Sequence, residues 1–92
     1  MNFLHQEFEA GPDDLIEVTL DGQANVMLLD SPNFESYRNG LSFKYYGGLA
    51  KVSPMRLAPP HEGRWHLAVD LGGHGGTIRA SMRVLRGADA LR

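Results

Sequence analysis

The most informative alternation in the chain lies in residues 64–71, Arg64-Trp65-His66-Leu67-Ala68-Val69-Asp70-Leu71. Successive side chains of a β-strand point to opposite faces. The large apolar side chains of this stretch occupy the odd positions, and the polar or small ones occupy the even positions. The stretch therefore predicts a strand with one face in the core and the other face directed outward.

A second alternating stretch, residues 77–85, is expected to return antiparallel to the first one. Its apolar residues occupy the even positions, and matching two apolar faces across a hairpin sets the register. In that register Asp70 lies opposite Arg79, and His66 lies opposite Arg83. The predicted outer face of the hairpin then carries Arg64, His66, Asp70, Arg79, Ser81 and Arg83.

This predicted outer face has two interpretations. Guanidinium groups bind phosphate or carboxylate through paired hydrogen bonds, so Arg79 and Arg83, with His66, could hold an anion. A solvated sheet with cross-strand ion pairs has the same residue pattern. We regard the solvated sheet as the simpler interpretation.

Residues 72–76, Gly-Gly-His-Gly-Gly, join the two stretches. Loops that cradle phosphate are also rich in glycine, but they run from a strand into a helix and usually carry a lysine. This segment joins two predicted strands and carries no lysine. We therefore expect a mobile hairpin connection, with His74 at its tip as a group that could touch a ligand or a protein partner.

Short alternating or apolar runs, separated by glycine, proline and asparagine, predict further strands. Asp21-Gly22 is typical of a two-residue hairpin turn and predicts that residues 15–20 pair with residues 24–29. The unbroken apolar run Val26 to Leu29 suggests burial on both faces of the second of these strands. The predicted strands are residues 2–9, 15–20, 24–29, 41–46, 49–57, 64–71 and 77–85.

Residues 31–38 form the one predicted helix. We expect Ser31 to cap its start, with a proline at the first helical position, and Asn39-Gly40 to end it. Phe34 and Tyr37 are three residues apart and would share one face. That face is expected to cover one end of a sheet.

Six or seven short strands with one short helix predict a mainly all-β domain. The expected architecture is an antiparallel β-sandwich or a small jelly-roll-like barrel, and we prefer the sandwich. A chain of 92 residues is long enough for a single core. We expect one domain over residues 1–86 and a frayed C-terminal tail over residues 87–92.

Charge is distributed unevenly along the chain. The first 35 residues have a net charge of −8 and the remaining residues a net charge of +6, which together give −2. Such an asymmetry can mark an acidic face and a basic face, unless strands from the two halves interleave and cancel it. The overall excess of acid argues against a dedicated nucleic-acid binder.

Composition also bears on the compartment. The chain has no cysteine, which fits a reducing environment. Its first residues lack the basic and apolar regions of a secretion signal, and no stretch reaches the roughly 18 apolar residues of a membrane span. We expect a cytoplasmic protein that does not bind membranes.

Tyr37-Arg38 and Tyr45-Tyr46, with Lys44 and Arg56, form the richest mixture of aromatic and cationic residues. Such mixtures are favoured on recognition surfaces. The alternative is that most of these rings are needed for the core. The residues that we predict to bind a ligand are Arg38, Tyr45, Tyr46, Arg56, His66, His74, Arg79 and Arg83.

We expect no metal, no cofactor and no catalytic residues. The four histidines do not have the spacing of a zinc site. Calcium bound by Asp13-Asp14 and Asp21 is a minor alternative. Serine, histidine and aspartate are all present, but no nucleophile motif accompanies them.

Several short motifs carry a resemblance that spans nearly the whole chain. They are Asn33-Phe34, Tyr37-Arg38-Asn39-Gly40, Tyr45-Tyr46-Gly47-Gly48, Ser53-Pro54, Gly63-Arg64-Trp65-His66 and Asp70-Leu71-Gly72-Gly73. The chain resembles a family of small bacterial domains of unknown function, which occur alone or ahead of a Toll/interleukin-1 receptor (TIR) domain. The resemblance implies a sensing or assembly module that feeds an effector, and here we expect such a role to act through another polypeptide.

Residues 57–71 are also similar to the jelly-roll-like pre-peptidase C-terminal domains of secreted enzymes. This second likeness is short and implies a β fold. Neither family supplies catalytic residues that can be carried over to this chain.

The sequence leaves three hypotheses about function. The first is a non-enzymatic module that recognises a small anionic or sugar-like ligand or a protein partner. The second is a structural module that self-associates into a homo-oligomer through exposed edge strands. The third is a small hydrolase, which we disfavour.

Overall fold

The computed structural model describes residues 3–72 and 75–87. Within these residues the chain forms seven strands in two antiparallel sheets and one short helix, so the predicted β-sandwich class is confirmed. The elements are β1 (Leu4–Ala10), β2 (Leu15–Leu20), β3 (Ala24–Asp30), α1 (Ser31–Arg38), β4 (Tyr46–Ala50), β5 (Met55–Leu57), β6 (Gly63–Asp70) and β7 (Ala80–Leu85).

The two sheets differ in size and in strand order. The first sheet has four strands in the order β1-β6-β3-β4, and the second has three in the order β5-β2-β7. Strand β6 pairs with β1 from Ala10↔Gly63 to Leu4↔Val69 and with β3 on its other side. The stretch that alternates most clearly is therefore a central strand.

The main core lies between the sheets. The odd positions of β6 point into it, where Trp65 is 1% exposed and donates its indole N–H to the His61 carbonyl at 3.1 Å. From the second sheet, Ile16 and Val18 meet them. This part of the alternation prediction is confirmed because an apolar strand face must be buried against another layer.

Helix α1 covers the opposite face of the first sheet. Phe34 and Tyr37 are buried together with Met27, Leu29 and Ala68, which project from β3 and β6. Other elements therefore pack on both faces of β3, as its unbroken apolar run predicts. His66, Ala68 and Asp70, at even positions of β6, are buried on the side of the sheet that the helix covers, so the predicted solvated outer face is wrong for them. Arg64, at the first even position, is exposed and pairs with Glu7 and Glu9 of β1.

The helix has the predicted bounds but a different cap. The Asp30 carboxylate, one position before Ser31, accepts the backbone N–H of Asn33 at 3.0 Å. Asn39 follows the last helical residue, as predicted. The prediction of Ser31 as the cap is wrong because the Ser31 hydroxyl bonds to His66 instead.

Both predicted hairpins are absent from the strand pairings. Strand β7 pairs with β2 rather than with β6, so Asp70 lies opposite Asn25, and His66 lies opposite Leu29 and Glu7. Two strands that each have one apolar face can lie side by side in one sheet, or they can lie in two sheets whose apolar faces pack against each other. Strands β6 and β7 follow the second arrangement.

The turn at Asp21-Gly22 crosses between the sheets, since β2 and β3 belong to different sheets. Asp21 instead bonds to the backbone of Arg79. Its N–H donates to the Arg79 carbonyl at 3.1 Å, and its carboxylate accepts the Arg79 N–H at 2.8 Å. Asp21 therefore extends the pairing of β2 with β7 in the second sheet and does not form the turn of a β2–β3 hairpin.

The middle of the chain departs most from the predicted bounds. Strand β4 begins at Tyr46, where the predicted strand 41–46 ends, and β5 keeps only the last three residues of the predicted strand 49–57. Gly47, at φ +115°, lies so close to β3 that an added Cβ would clash with the Val26 carbonyl oxygen. Glycine permits both this conformation and this approach.

The acidic and basic halves of the chain interleave. Strand β2 from the acidic half lies between β5 and β7 from the basic half, and β6 lies between β1 and β3. The charge asymmetry along the chain is thereby largely neutralised between neighbouring strands. Within the described residues, the structure contains no helix with the length and apolar character needed to cross a bilayer.

Candidate functional site

Asp70 lies at the end of β6 beneath the helix and is 5% exposed. One carboxylate oxygen accepts the Tyr37 hydroxyl at 2.6 Å. The other accepts the Asn25 side-chain amide at 3.0 Å and the Gly72 backbone N–H at 2.8 Å. One carboxylate therefore joins β6, β3, α1 and the segment that follows β6.

The ionisation of this group follows from its contacts. Burial opposes the charged form, but the hydrogen bonds from Tyr37, Asn25 and Gly72 outweigh burial and lower the pKa of Asp70 below its ordinary value. Burial, with the hydrogen bond to Asp70, raises the pKa of the Tyr37 hydroxyl. At neutral pH the pair is thus a carboxylate and a neutral phenol.

A pocket of about 260 Å³ opens beside this carboxylate. The Phe43 ring packs edge-on against the Tyr37 ring, with 5.2 Å between the ring centroids, and its centroid lies 5.6 Å from that of Tyr45. Tyr45 is 47% exposed, so it forms a wall in contact with solvent. We call this site the Asp70 pocket, lined by Asn25, Met27, Tyr37, Phe43, Tyr45, Gly48, Asp70 and Gly72.

A second polar cluster lies under the start of α1. His66 bonds through Nε2 to the Ser31 hydroxyl and through Nδ1 to Nε2 of His5, both at 2.9 Å. The Phe34 ring stacks on both imidazoles, with centroids 4.5 Å from His66 and 4.1 Å from His5. Burial, followed by the neighbouring His5, lowers the pKa of His66.

The Ser31–His66 spacing matches that of a nucleophile and a general base. His66, however, is 5% exposed, and its ring is covered by Phe34. A substrate would have to displace α1 to reach Nε2. Through these contacts, His66 of β6 is bonded to Ser31 at the start of α1 and to His5 of β1, so the cluster has a structural role.

The outer face of the second sheet carries a row of charges. Glu17 is buried between two exposed arginines and accepts Nε–H of Arg56 at 2.9 Å and Nε–H of Arg83 at 2.6 Å. The hydrogen bond from Arg83 is the largest of the effects that lower the pKa of Glu17. Ser81, two residues before Arg83 on β7, lies on the same face, and Arg79 directly precedes β7.

The structure distributes the predicted ligand-binding residues over separate places. Tyr45 lines the Asp70 pocket, while Tyr46 lies outside that lining and contacts Trp65 edge-on at 6.1 Å. Arg38 pairs with Glu35 on the helix surface at 3.3 Å. His74 lies outside the described residues.

The remaining four residues of the predicted set separate further. Arg56 and Arg83 lie on the outer face of the second sheet, and Arg79 directly precedes β7 of that sheet. His66 lies under α1, so the predicted grouping of His66 with Arg79 and Arg83 is wrong. That grouping depended on a β6–β7 hairpin, and the two strands belong to different sheets.

Of the residues that line the pocket, the predicted ligand-binding set contains Tyr45 but not Asn25, Phe43 or Asp70. Asp70 belongs to the predicted outer face of a hairpin and is not among the predicted binding residues. One feature of the sequence could have indicated this site: the unbroken apolar run of β3 predicts that other elements pack on both faces of its sheet. The strand next to β3 then also has cover, and an acidic residue on its covered face would have to be buried. The order of strands in the sheet was needed to identify that neighbour as β6.

These features define a class, namely small antiparallel β-sandwich domains in which a short helix covers one sheet. The family model described as "Domain of unknown function (DUF1883)" matches residues 1–88, and the chain belongs to this family. The predicted resemblance to a family of unknown function is thereby confirmed. Comparisons with curated proteins and with solved structures gave no match.

Proposed function

We propose that this domain is a non-enzymatic recognition module that binds a small ligand in the Asp70 pocket. The observation that carries the proposal is a buried, ionised carboxylate that lines a pocket with an exposed aromatic wall. Ligand sites commonly combine apolar walls with a few well-placed polar groups. The pocket has this composition on a small scale.

The polar groups of the pocket are already held in place. Three hydrogen bonds orient the Asp70 carboxylate, and the Tyr37 ring is buried against the first sheet. A ligand would therefore meet groups that need little further ordering, which favours affinity. The faces of Phe43 and Tyr45 supply apolar contact area.

The test is a thermal-shift screen with neutral polyols and sugars, organic cations, nucleotides, organic acids and divalent ions. A ligand that binds the native state at 100 times its Kd adds about 2.7 kcal/mol to the unfolding free energy. For a domain of this size we expect a rise in Tm of several degrees. Binding in the pocket is then mapped by NMR on the amides of Tyr45, Gly48 and Gly72.

Two neighbouring tyrosines provide a matched pair of variants. Tyr45→Ala removes a wall of the pocket and should weaken binding by about tenfold or more. Tyr46→Ala makes the same change one position along the chain, outside the pocket lining, and should preserve the affinity. Equal losses in both variants, or a silent screen, would refute the proposed site.

The arginines of the predicted set would take a different ligand. We propose the outer face of the second sheet, with Arg56, Arg79 and Arg83, as the place where an anion would bind. The support is that Arg56 and Arg83 lie on this face on either side of Glu17, and that the exposed Arg79 directly precedes β7. An anionic hit should lose affinity in Arg79→Gln and keep it in Tyr45→Ala, and the opposite pattern would overturn this assignment.

A second candidate function is self-association through sheet edges. Strands β1 and β7 each have a neighbour on one side among the described strands. A crevice of about 390 Å³ lies between them, and Leu4 at its rim is 45% exposed. Unpaired strand edges can pair with a second chain.

Sedimentation equilibrium over a wide concentration range tests this second candidate. A dimer that Leu4→Lys dissociates would support it, because a charge in the crevice opposes apolar contact. A monomer at every concentration would refute it. The binding screen is independent of this outcome.

A further inference from the structure

We propose that the ligand of the Asp70 pocket is an organic ammonium cation. This inference rests on the proposed function, and it adds the charge and the chemical class of the ligand. It depends on what surrounds the Asp70 carboxylate.

Among the residues that the structure describes, the hydrogen-bond partners of the Asp70 carboxylate are neutral. Its three hydrogen-bond donors are a phenol, a side-chain amide and a backbone N–H. Among the described residues the lining of the pocket includes no lysine, arginine or histidine, and none of the ion pairs includes Asp70. Burying a charge without an opposite charge is costly.

The other buried carboxylate of the described chain shows the usual solution. Glu17 is buried to a similar degree, and it lies between Arg56 and Arg83. Asp70 is as buried as Glu17 but has no opposite charge among the described residues, and it adjoins a pocket. A cation that enters the pocket would supply what the arginines supply to Glu17.

The walls of the pocket suit an organic cation. Three aromatic rings line it, those of Tyr37, Phe43 and Tyr45. The electron-rich faces of aromatic rings attract ammonium groups, above all when water is excluded. The methyl groups of a substituted ammonium would also contact Met27, whose thioether adapts to irregular shapes.

Other ligand classes fit these walls less well. Magnesium and calcium require about six or more oxygen ligands, and the described residues contain no group of three histidine, cysteine or acidic side chains able to hold a metal. An anion would be repelled by Asp70. A neutral sugar could bond to Asp70 and Asn25 but would leave the buried charge uncompensated.

The carboxylate has capacity for one more contact. Its two oxygens can accept about four hydrogen bonds, and described residues donate three. The oxygen that bonds to Tyr37 accepts one of the three. An ammonium N–H, or the polarised methyl groups of a quaternary ammonium, could approach that oxygen from the pocket.

The experiment compares choline with its uncharged carbon isostere, the alcohol in which a carbon atom replaces the nitrogen. Both are titrated into the labelled full chain, and the amide shifts of Tyr45, Gly48 and Gly72 are followed by NMR. The two probes share size and shape and differ in charge. We expect choline to bind about tenfold or more tightly than the isostere.

Variants then locate the interaction. Asp70→Asn removes the charge and should lower choline affinity about tenfold or more while leaving the weak binding of the isostere unchanged. Asp13→Asn makes the same chemical change in an exposed turn and should leave both affinities unchanged. If Asp70→Asn does not fold, the comparison of the two probes on the unaltered chain still decides the question.

Each other outcome overturns the inference in a distinct way. Equal binding of choline and isostere in the pocket would reject the cation and preserve the proposed function. Failure of choline to shift the pocket amides, with a sugar doing so in the screen, would also reject only the cation. Silence from every class of ligand would reject the proposed function as well.

An ammonium can be free or carried on a side chain of another protein. A capped trimethyl-lysine serves as the second arm of the titration. Tighter binding of choline would assign a small molecule, and tighter binding of the capped residue would assign a modified lysine of a partner. Both results require the charge on Asp70.

Discussion

Asp70 connects three elements through one carboxylate, so its partners should be visible in the stability of the whole domain. The shortest of its hydrogen bonds comes from Tyr37, whose ring is also part of the core beneath α1. Removal of one partner leaves a buried charged acceptor with fewer donors, which costs more than an ordinary surface hydrogen bond.

We predict that Tyr37→Phe lowers the free energy of unfolding by about 1.5–3 kcal/mol, the range for hydrogen bonds to charged groups. The ring and its packing are retained, so the loss reports on the hydroxyl. Urea denaturation of both proteins measures it. Tyr45→Phe, which removes the hydroxyl of an exposed tyrosine, should change the value by less than about 0.5 kcal/mol, and comparable losses in the two variants would contradict the assigned role of Tyr37.

Helix α1 depends on its first turn and on the two aromatic rings that it buries. A helix of eight residues is too short to be stable alone, so it forms because Phe34 and Tyr37 pack on β3 and β6. The Asp30 cap then satisfies a backbone N–H that the helix cannot bond internally.

We predict that Asp30→Ala destabilises the domain by about 1 kcal/mol, the usual cost of a lost N-cap. Asp30→Asn retains an oxygen that can accept the Asn33 N–H and should remain within a few tenths of the original stability. Thermal and chemical unfolding of the three proteins compare the two changes. An equal loss for alanine and asparagine would show that the charge of Asp30, rather than its capping bond, stabilises this end of the helix.

The stability of the whole molecule should depend on pH in two ranges. Burial and the adjacent His5 lower the pKa of His66, so the unfolded chain takes up this proton first as the pH falls. The contribution of His66 is therefore complete above its unfolded pKa of about 6.5 and is lost as the pH falls through the lower folded pKa. The carboxylates with lowered pKa, among them Asp70 and Glu17, extend the loss below about pH 4.

We predict that the free energy of unfolding decreases between about pH 7.5 and pH 5.5, and that His66→Gln reduces this decrease. The titratable and charged groups that act on His66 include His5, Glu7, Arg64 and Glu35. The control is His61→Gln, a change to an exposed histidine, which should preserve the pH dependence. A constant free energy over this range in the original protein would contradict the prediction.

Much of the architecture could be predicted from local patterns. The helix bounds, the core face of β6 and the two-sided burial of β3 followed from period, capping residues and apolar runs, since each depends on a few neighbouring residues. The site was predicted less well. Tyr45 was predicted as a binding residue because it belongs to a mixture of aromatic and cationic residues, but its neighbours in the pocket include residues of β3, α1 and the end of β6.

Local chemistry along the chain was thus enough to establish a small β domain with one helix, an aromatic-rich middle segment and the family to which it belongs. The strand partners arose from the packing of the two sheets, and the burial of His66, Ala68 and Asp70 arose from the packing of α1 on the other face of the first sheet. The physical reason is that the same alternating pattern fits a strand that pairs with its neighbour in a hairpin and a strand whose apolar face packs against another sheet. Long-range contacts decide between these two arrangements. They place Asp70, which the sequence pattern assigns to a solvated face, in the lining of a pocket.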